Sequence, residues 1–254
     1  MIGVFDSGVG GLSVLREIRA ELPQADLLYV ADRARAPYGP RELAQVQEFA
    51  HEIVVWLIDR GATTLVVACN TASAAALDEL RLTHPYLPIV GMEPAVKPAA
   101  AATTSGVIAV FATAATFQGR LFESVVSRFT EGVTVIPRAC PEWVVQVETG
   151  VVDGFEVEDL VAAVVASVVA EGADTLVLGC THFSFLRPTI ERVAGPDVIV
   201  IDPAAAVARQ TSRVAFDPDG TGLLLMAASG DLEQFATLAR TLADLEVDAV
   251  EVFP

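Results

Sequence analysis

The sequence is poor in the groups that bind nucleic acid or build a disulfide framework. It has 16 Lys and Arg residues against 33 Asp and Glu residues, and its formal net charge is -17. Because binding to nucleic-acid phosphates needs clustered Lys and Arg, we expect no nucleic-acid partner. Its three cysteines are an odd number in a mostly apolar chain. We therefore expect reduced thiols, which are free for chemistry.

Long apolar runs and an export signal are also lacking. The longest apolar stretch, 160–170, falls short of the roughly 20 residues that a membrane-spanning helix needs. The chain enters a strand-like run at once, without a basic start or a small-residue cleavage site. These features predict no membrane contact and a cytoplasmic location.

Lysine and histidine are too scarce for two kinds of cofactor chemistry. Lys97 is the only lysine, and no phosphate cradle lies near it in the sequence, as a pyridoxal phosphate enzyme would need. The three histidines, His51, His84 and His182, make no zinc-ligand spacing with the cysteines. We expect neither a cofactor nor a metal.

The order of the apolar runs predicts the fold class. Short runs rich in Val, Ile and Leu alternate with longer Ala-rich stretches, which is typical of an α/β protein with parallel sheets. The predicted strands are 2–5, 26–30, 64–68, 89–91, 107–111, 133–136, 175–179 and 198–201, and the clearest helices are 43–59 and 157–170.

An internal repeat is the most informative feature of the sequence. Residues 61–71 align without a gap on residues 172–182, six of the eleven positions are identical, and Cys69 aligns with Cys180. A weaker echo relates 2–7 to 108–113 in the same chain order. Composition alone makes Ala/Val-rich strands look alike, but the paired cysteines favour a true repeat.

The repeat predicts two pseudo-symmetric, Rossmann-like domains with the active site in the cleft between them. The first domain would comprise 1–98 and 211–254, with the chain's tail packed back on the first half. The second would comprise 99–210.

Both repeated cysteines follow a predicted strand, where ligands bind in open parallel sheets. Residues 70–71 and 181–182 follow them and are predicted to cap helices 72–80 and 183–193. Residues 6–11 follow the first strand, and their glycines would let the backbone come close to a ligand. This run is not a dinucleotide fingerprint, because Ser13 stands where a third glycine should be.

One thiol on each wall of a cleft suits a two-base reaction. A thiolate would remove a proton from one face of a tetrahedral carbon, and the opposite thiol would return one to the other face. Helix dipoles and hydrogen bonds are expected to lower the thiol pKa values enough for both forms to exist near neutral pH. Two alternatives to the two-base reaction remain. The cysteines could be buried structural thiols, or the protein could be a thiol hydrolase that uses Cys180 and His182. Cys140 has no repeat partner and is predicted to be structural.

The motifs together resemble the glutamate racemases of the aspartate/glutamate racemase superfamily, over almost the whole chain. The resemblance rests on residues 5–12, 36–39, 68–72, 93–98, 139–141, 147–148 and 178–182. It implies a pyridoxal-independent racemase, a homodimer, that interconverts L- and D-glutamate for bacterial peptidoglycan.

The resemblance also implies residue roles. Cys69 and Cys180 match the two proton donors and acceptors, and Asp6, Glu148 and His182 match groups that assist them. Positions predicted to bind substrate are Asp6, Ser7, Pro37, Tyr38, Gly39, Asn70, Thr71, Thr113, Thr116, Thr181 and His182. For Glu148 and Thr116, the alternative is a solvated helix face.

The sequence departs from the family pattern at a few positions. Phe183-Ser184-Phe185 replaces Tyr-Pro-Leu, Ala112 replaces a glycine, Pro203 replaces a serine, and Arg33 and Arg35 precede Pro37. Since pocket size and nearby cations decide which acid is accepted, an aspartate or other amino-acid racemase is an alternative. A role in binding a protein such as DNA gyrase, reported for some glutamate racemases, is another.

Overall fold

A computed structural model describes residues 1–216, 218–245, 247 and 249–254 of the chain. The strands in this part are β1 (Ile2–Asp6), β2 (Leu27–Ala31), β3 (Thr64–Val67), β4 (Ile89–Gly91), β5 (Val107–Ala112), β6 (Thr134–Ala139), β7 (Thr175–Leu178), β8 (Ile199–Ile201), β9 (Leu224–Ala228) and β10 (Ala249–Val252). The helices are α1 (Leu12–Glu21), α2 (Leu43–Asp59), α3 (Asn70–Thr83), α4 (Val96–Ala102), α5 (Ala114–Gln118), α6 (Arg120–Phe129), α7 (Pro141–Glu148), α8 (Phe155–Ala170), α9 (Phe183–Ala194), α10 (Ala204–Val214) and α11 (Leu232–Ala243), and a 3-10 turn spans Arg33–Arg35.

The strands form two parallel sheets. The first has the order β10-β9-β2-β1-β3-β4, and the second has the order β6-β5-β7-β8. The central strands β1, β3 and β7 are buried along their whole length. Near-continuous apolar strands are expected where helices cover both faces of a parallel sheet. The α/β class and the two-sheet architecture are thus as the sequence predicts.

The internal repeat is visible in the register of the sheets. Strands β2-β1-β3-β4 and strands β6-β5-β7-β8 have the same order. Ile2 pairs with Thr64 in the first sheet, and the residues that the repeat makes equivalent to them, Ile108 and Thr175, pair in the second. The β3–β4 and β7–β8 registers match in the same way. Two strand ends, those of β3 and β7, therefore occupy equivalent places.

The tail of the chain completes the first sheet. The sequence did not predict strands β9 and β10. Strand β9 pairs with β2 and β10 pairs with β9, both in parallel register. The helices α4 and α10 run across the predicted domain boundaries at 98/99 and 210/211, and α10 packs on α1. The boundaries themselves remain a prediction.

The predicted element ends are mostly close to the observed ones, and the exceptions have local causes. Helix α2 has the predicted bounds, whereas β6 extends to Ala139, past Pro137. Proline is tolerated there because β6 is an edge strand of the second sheet. No helix in the described part of the chain is long and apolar enough to cross a membrane.

Candidate active site

A cavity of about 270 Å³ opens at the carboxyl ends of the strands and is lined by both halves of the chain. The predicted site residues on its wall are Ser7, Pro37, Tyr38, Gly39, Cys69, Asn70, Thr71, Thr113, Cys180, Thr181 and His182. Both repeated thiols therefore contribute to one cavity.

Cys69 follows the β3 strand and is itself the N-cap of α3. Its Sγ accepts a hydrogen bond from the Ala72 amide at 3.4 Å and lies 3.8 Å from the Ser7 hydroxyl oxygen. The prediction that Asn70 and Thr71 cap this helix is wrong, because both residues lie in its first turn.

The expected lowering of the Cys69 pKa is also wrong. Burial raises the pKa of this thiol well above its ordinary value, and the nearby Asp6 carboxylate raises it further. The contacts with the Ala72 amide and Ser7 act in the opposite direction but are outweighed. In the free protein Cys69 is therefore a thiol at neutral pH.

Cys180 follows β7, and its thiol is supported by a different set of groups. Its Sγ lies 3.6 Å from Nδ1 of His182, and Nε2 of that ring lies 2.7 Å from Oε1 of Glu148. Burial disfavours the imidazolium, but the contacts with Cys180 and Glu148 outweigh burial and raise the pKa of His182. A protonated ring donates from both nitrogens, to the sulfur and to the carboxylate.

The N-cap of α9 differs from the prediction. His182 occupies the N-cap position, but neither it nor Thr181 makes the predicted side-chain cap bond. Its imidazole is engaged with Cys180 and Glu148 instead.

Glu148 connects the two halves behind the cavity wall. It is the last residue of α7, and its Oε1 accepts a bond of 2.8 Å from the Val9 amide of the first half. Burial acts to raise its pKa, but the contacts with His182, Val9 and Arg33 dominate and hold the pKa below its usual value. The alternative of a solvated helix face is excluded for Glu148, whose side chain is 18% exposed and contacts Val9, Arg33 and His182. It is excluded for Thr116 as well, which is 1% exposed.

The glycine run after β1 is pressed against the second half rather than open to a ligand. A Cβ atom at Gly8 would lie 1.9 Å from Oε1 of Glu148, and one at Gly10 would lie 2.3 Å from Nδ1 of His182. Glycine is needed at both places because any side chain would collide with these groups. The sequence indicated a close approach here but not its partner.

Asp6 lies beneath this run and is fully buried. Its Oδ2 accepts bonds from the amides of Gly8 and Gly11 at 3.1 and 3.0 Å, while its Oδ1 has no hydrogen-bond partner in the part of the chain that the structure describes. Burial raises the pKa of Asp6, against the opposing effects of His182 and these amides. Asp6 is not part of the cavity wall, so its predicted contact with substrate stays a prediction.

Three threonines also join the halves at the cavity. The Thr71 and Thr113 hydroxyl oxygens are 2.8 Å apart, and those of Thr113 and Thr116 are 2.9 Å apart. Thr113 also caps α5 by accepting from the Thr116 amide. Thr116 thus lies behind Thr113 and Thr71 rather than on the wall.

Tyr38 is held by the loop that carries it. Its hydroxyl donates to Oδ2 of Asp32, which also pairs with Arg35 at 2.6 Å. Asp32 Oδ1 accepts from Ser229 at 3.0 Å, which ties the loop to the end of β9. The Tyr38 ring is therefore a fixed wall of the cavity.

Asn70 is a polar side chain of the wall that can bind a ligand. Both its Nδ2 and its Oδ1 are buried without a hydrogen-bond partner among the described residues. Burying an amide without partners is costly, so such a group is expected to meet a ligand in the occupied site.

The sequence did not identify the apolar part of the wall. This part consists of Pro40, Ala114, Ala139, Pro141, Val144 and Val145. The amphipathic spacing of α7 was a signal for it, but only the fold shows which face of α7 meets the cavity. Cys140 is buried beside this helix without lining the cavity, and burial raises its pKa to about 12.

Comparisons with known proteins agree with this geometry. The family model described as Asp/Glu/Hydantoin racemase matches residues 2–211. A glutamate racemase from Roseiflexus sp. (strain RS-1) is 48% identical over 257 residues, covering 98% of this chain and 94% of the relative.

Solved structures give the same result. Glutamate racemase isoform RacE1 from Bacillus anthracis is similar with a TM-score of 0.91 and 33% identity, covering 100% of this chain and 97% of that chain. Glutamate racemase from Francisella tularensis subsp. tularensis SCHU S4, in complex with D-glutamate, is similar with a TM-score of 0.83 and 26% identity, covering 100% and 97%.

Proposed function

Since the chain belongs to the Asp/Glu/hydantoin racemase family, as one of its glutamate racemases, we propose that Cys69 and Cys180 interconvert L- and D-glutamate as a pair of acid/base thiols. The observation that carries this proposal is the common cavity. Two thiols reach it from equivalent strand ends of two repeated halves. A single-thiol reaction would leave the second thiol without a role.

Substrate binding is attributed to the polar part of the wall. The amino ends of α3 and α9 meet at the cavity, and the first amides of a helix have no partner within it. Together with the free Asn70 side chain, these ends favour carboxylate groups. The Francisella tularensis relative was solved with D-glutamate, which has the two carboxylates that such a site would hold.

The reaction is a proton transfer through the α-carbon. One cysteine, as thiolate, removes the α-proton, and the electron pair is left on the α-carbon beside the carboxylate. The other cysteine, as thiol, donates its proton to the opposite face and becomes the thiolate. The configuration is inverted, and the two thiols have exchanged protonation states.

The neighbours of each thiol suit these roles. His182, held by Glu148, is a donor to the Cys180 sulfur and would stabilise it as a thiolate. Cys69 begins as the thiol because burial raises its pKa. With Cys180 as the thiolate the enzyme is ready for one enantiomer, and a turnover leaves it ready for the other.

Cofactor independence follows in the same proposal, because both proton transfers use side chains of this chain. By resemblance to the family, we further propose that D-glutamate supplies peptidoglycan synthesis, that the enzyme works in the cytoplasm, and that it is a homodimer.

The test is α-proton exchange. Purified protein without added cofactor is incubated with L- or D-glutamate in D2O, and NMR follows loss of the α-proton while circular dichroism follows inversion. We expect both enantiomers to exchange and to reach a racemic mixture. If neither enantiomer of glutamate loses its α-proton or is inverted, the proposal that glutamate is the substrate is refuted.

Two further assays test the alternatives. Faster inversion of aspartate than of glutamate, in a panel of amino acids, would favour the alternative racemase. Supercoiling assays with thiol variants would detect a separate effect on gyrase.

A further inference from the structure

Arg33 is a charged group at the active site that the two-thiol reaction does not use directly. It lies in the 3-10 turn after β2, its side chain is 12% exposed, and its Nε lies 3.5 Å from Oε2 of Glu148. The other oxygen of that carboxylate, Oε1, contacts His182 and the Val9 amide. Arg33 and His182 therefore contact different oxygens of one carboxylate.

Helix α11 fixes the guanidinium in this position. Arg33 Nη2 donates to Oε1 of Gln234 at 3.0 Å, and Nη1 donates to the Asp231 carbonyl at 3.4 Å. Both partners lie at the start of α11. Arg33 thus links the start of α11 to the Glu148 carboxylate of the second half.

Resting on the proposed function, we propose that Arg33 is a positioning residue for Cys180. Its ion pair keeps Glu148 ionised and in contact with His182, which in turn faces the Cys180 sulfur. The contacts of Cys69, with Ser7 and the Ala72 amide, involve none of these groups. Arg33 would therefore act on one side of the substrate only.

The charges around Glu148 determine in which direction the loss of Arg33 changes the Glu148 pKa. His182 from the start of α9 and Arg33 from the 3-10 turn lower its pKa, whereas the Asp6 carboxylate of β1 lies close enough to interact unfavourably. The Tyr29 hydroxyl of β2 is also near, and it is neutral because burial raises its pKa. Without Arg33 the Glu148 pKa rises, so the carboxylate that holds His182 is protonated at a higher pH.

The first experiment separates the two sides of the reaction. Arg33→Gln is introduced into Cys69→Ser, where Cys180 is the remaining thiol, and into Cys180→Ser, where Cys69 remains. Each protein is assayed for α-proton exchange with both glutamate enantiomers in D2O. We expect Arg33→Gln to slow exchange by Cys180 about tenfold, the effect of one pKa unit. Exchange by Cys69 should change less than about twofold. Equal slowing on both sides would overturn the proposal.

The second experiment is the pH profile of kcat/KM in the two-thiol enzyme. In Arg33→Gln and in the shorter Arg33→Ser, the acid limb should move to higher pH. In Arg33→Lys, which keeps a positive charge, it should stay near its original place. Arg187→Gln is the matched control, since it removes an exposed cation paired with Glu191, away from the cavity. An acid limb that does not move in either neutral variant, or moves as far in Arg33→Lys, would overturn the proposal.

The outcomes separate this proposal from the one on which it rests. If the unsubstituted protein does not racemise glutamate, the proposed function fails and the role of Arg33 fails with it. If it racemises glutamate and the neutral Arg33 variants, folded by circular dichroism, match it in both experiments, only the role of Arg33 fails. Should neither neutral variant fold, Arg33→Lys decides alone. If its acid limb moves to higher pH although the positive charge is kept, a role based on charge is contradicted.

Discussion

At the scale of single residues, the site contains two thiols in equivalent places with unlike surroundings. Cys69 is beside a hydroxyl and a helix amide, whereas Cys180 is beside an imidazole that a carboxylate holds. The equivalence comes from the repeated strands. The difference comes from unlike residues at matching places of the repeat, such as Thr71 and His182, and from Glu148 of α7. Chemistry at this scale depends on side chains that lie far apart in the sequence.

Replacing either thiol tests the pair. Cys69→Ser and Cys180→Ser should each lower racemisation by about a thousandfold, because a serine hydroxyl is a far weaker acid/base group than a thiol. Each variant should still exchange the α-proton of one enantiomer, and the two variants should prefer opposite enantiomers. Cys140→Ser is the control, since that thiol does not line the cavity. Full racemisation by either active-site variant would contradict the two-base scheme.

The buried Asp6 carboxylate predicts a conflict between activity and stability. Its pKa is raised in the folded state, so the protein is stabilised when Asp6 is protonated and loses that stability as the pH rises through the folded pKa. Asp6→Asn should therefore unfold at higher denaturant concentration than the unsubstituted protein at pH 7, and this gain should vanish below pH 3.8, the ordinary pKa of Asp. Its racemase activity should fall.

Asp26→Asn is the matched control, because it should change the stability at pH 7 in the opposite direction from Asp6→Asn. The Thr221 amide and other hydrogen bonds lower the pKa of Asp26, so its contribution to stability is present at neutral pH and is lost in acid. Denaturant unfolding of the variants at pH 7, at pH 5 and at a pH below 3.8 checks both signs. A loss of stability in Asp6→Asn at pH 7 would contradict the first prediction.

At the scale of elements, the glycine run after β1 sets how closely the halves approach. Gly8 and Gly10 leave room for Glu148 and His182, which come from α7 and the start of α9. The run is therefore part of the interface that positions the Cys180 side of the reaction. A small change there is expected to move catalytic groups without unfolding a sheet.

Gly10→Ala should lower kcat/KM by at least about a hundredfold, because a displacement near 1 Å in an active site has effects of this order. The reason is the contact of 2.3 Å that a Cβ atom would make with His182. Gly3→Ala is the control: its Cβ would meet Ala62 and Leu65 at 3.0 Å within the first sheet, so it should lower stability and spare activity. Steady-state kinetics and thermal unfolding of both variants make the comparison. Normal activity in Gly10→Ala would contradict this prediction, because it would mean that the loop moves to accommodate the added methyl group without displacing His182.

The start of α11 gives a prediction on stability. The Asp231 side chain caps this helix by accepting from the Gln234 amide at 2.9 Å. Asp231→Ala should lower the free energy of unfolding by about 1 kcal/mol, the usual effect of losing such a cap. Asp231→Asn keeps an oxygen in place and should lose much less. Denaturant titration of both variants would reveal the difference, and equal losses would argue against a capping role.

At the scale of the whole molecule, the cavity is built from both halves, so an occupied cavity joins them. A ligand bound to the folded state at 100 times its Kd stabilises it by about 2.7 kcal/mol. For a chain of this size that corresponds to a rise in Tm of roughly 5–10 °C. We expect D-glutamate to produce such a shift in one cooperative transition. Glutarate, which lacks the amino group, is the control ligand and should shift Tm less.

The sequence predicted the parts of this molecule that depend on local pattern. The apolar runs located the strands of the repeat, and the position of both cysteines at strand ends placed them in one cavity. Strands β9 and β10 escaped prediction because they complete a sheet through β2, the partner of β9, which lies nearly 200 residues earlier in the chain. The Arg33–Glu148 pair escaped for the same reason, since only the approach of the two halves brings these residues together.

The unequal surroundings of the two thiols have a thermodynamic consequence. In water, L- and D-glutamate are mirror images with equal free energies, so the equilibrium constant of the reaction is one. The ratio kcat/KM must then be the same in both directions, whatever groups support Cys69 and Cys180. Asymmetry in the site can change only how each direction divides this ratio between kcat and KM. A racemase can thus be built from unlike halves without ever favouring one hand of its product.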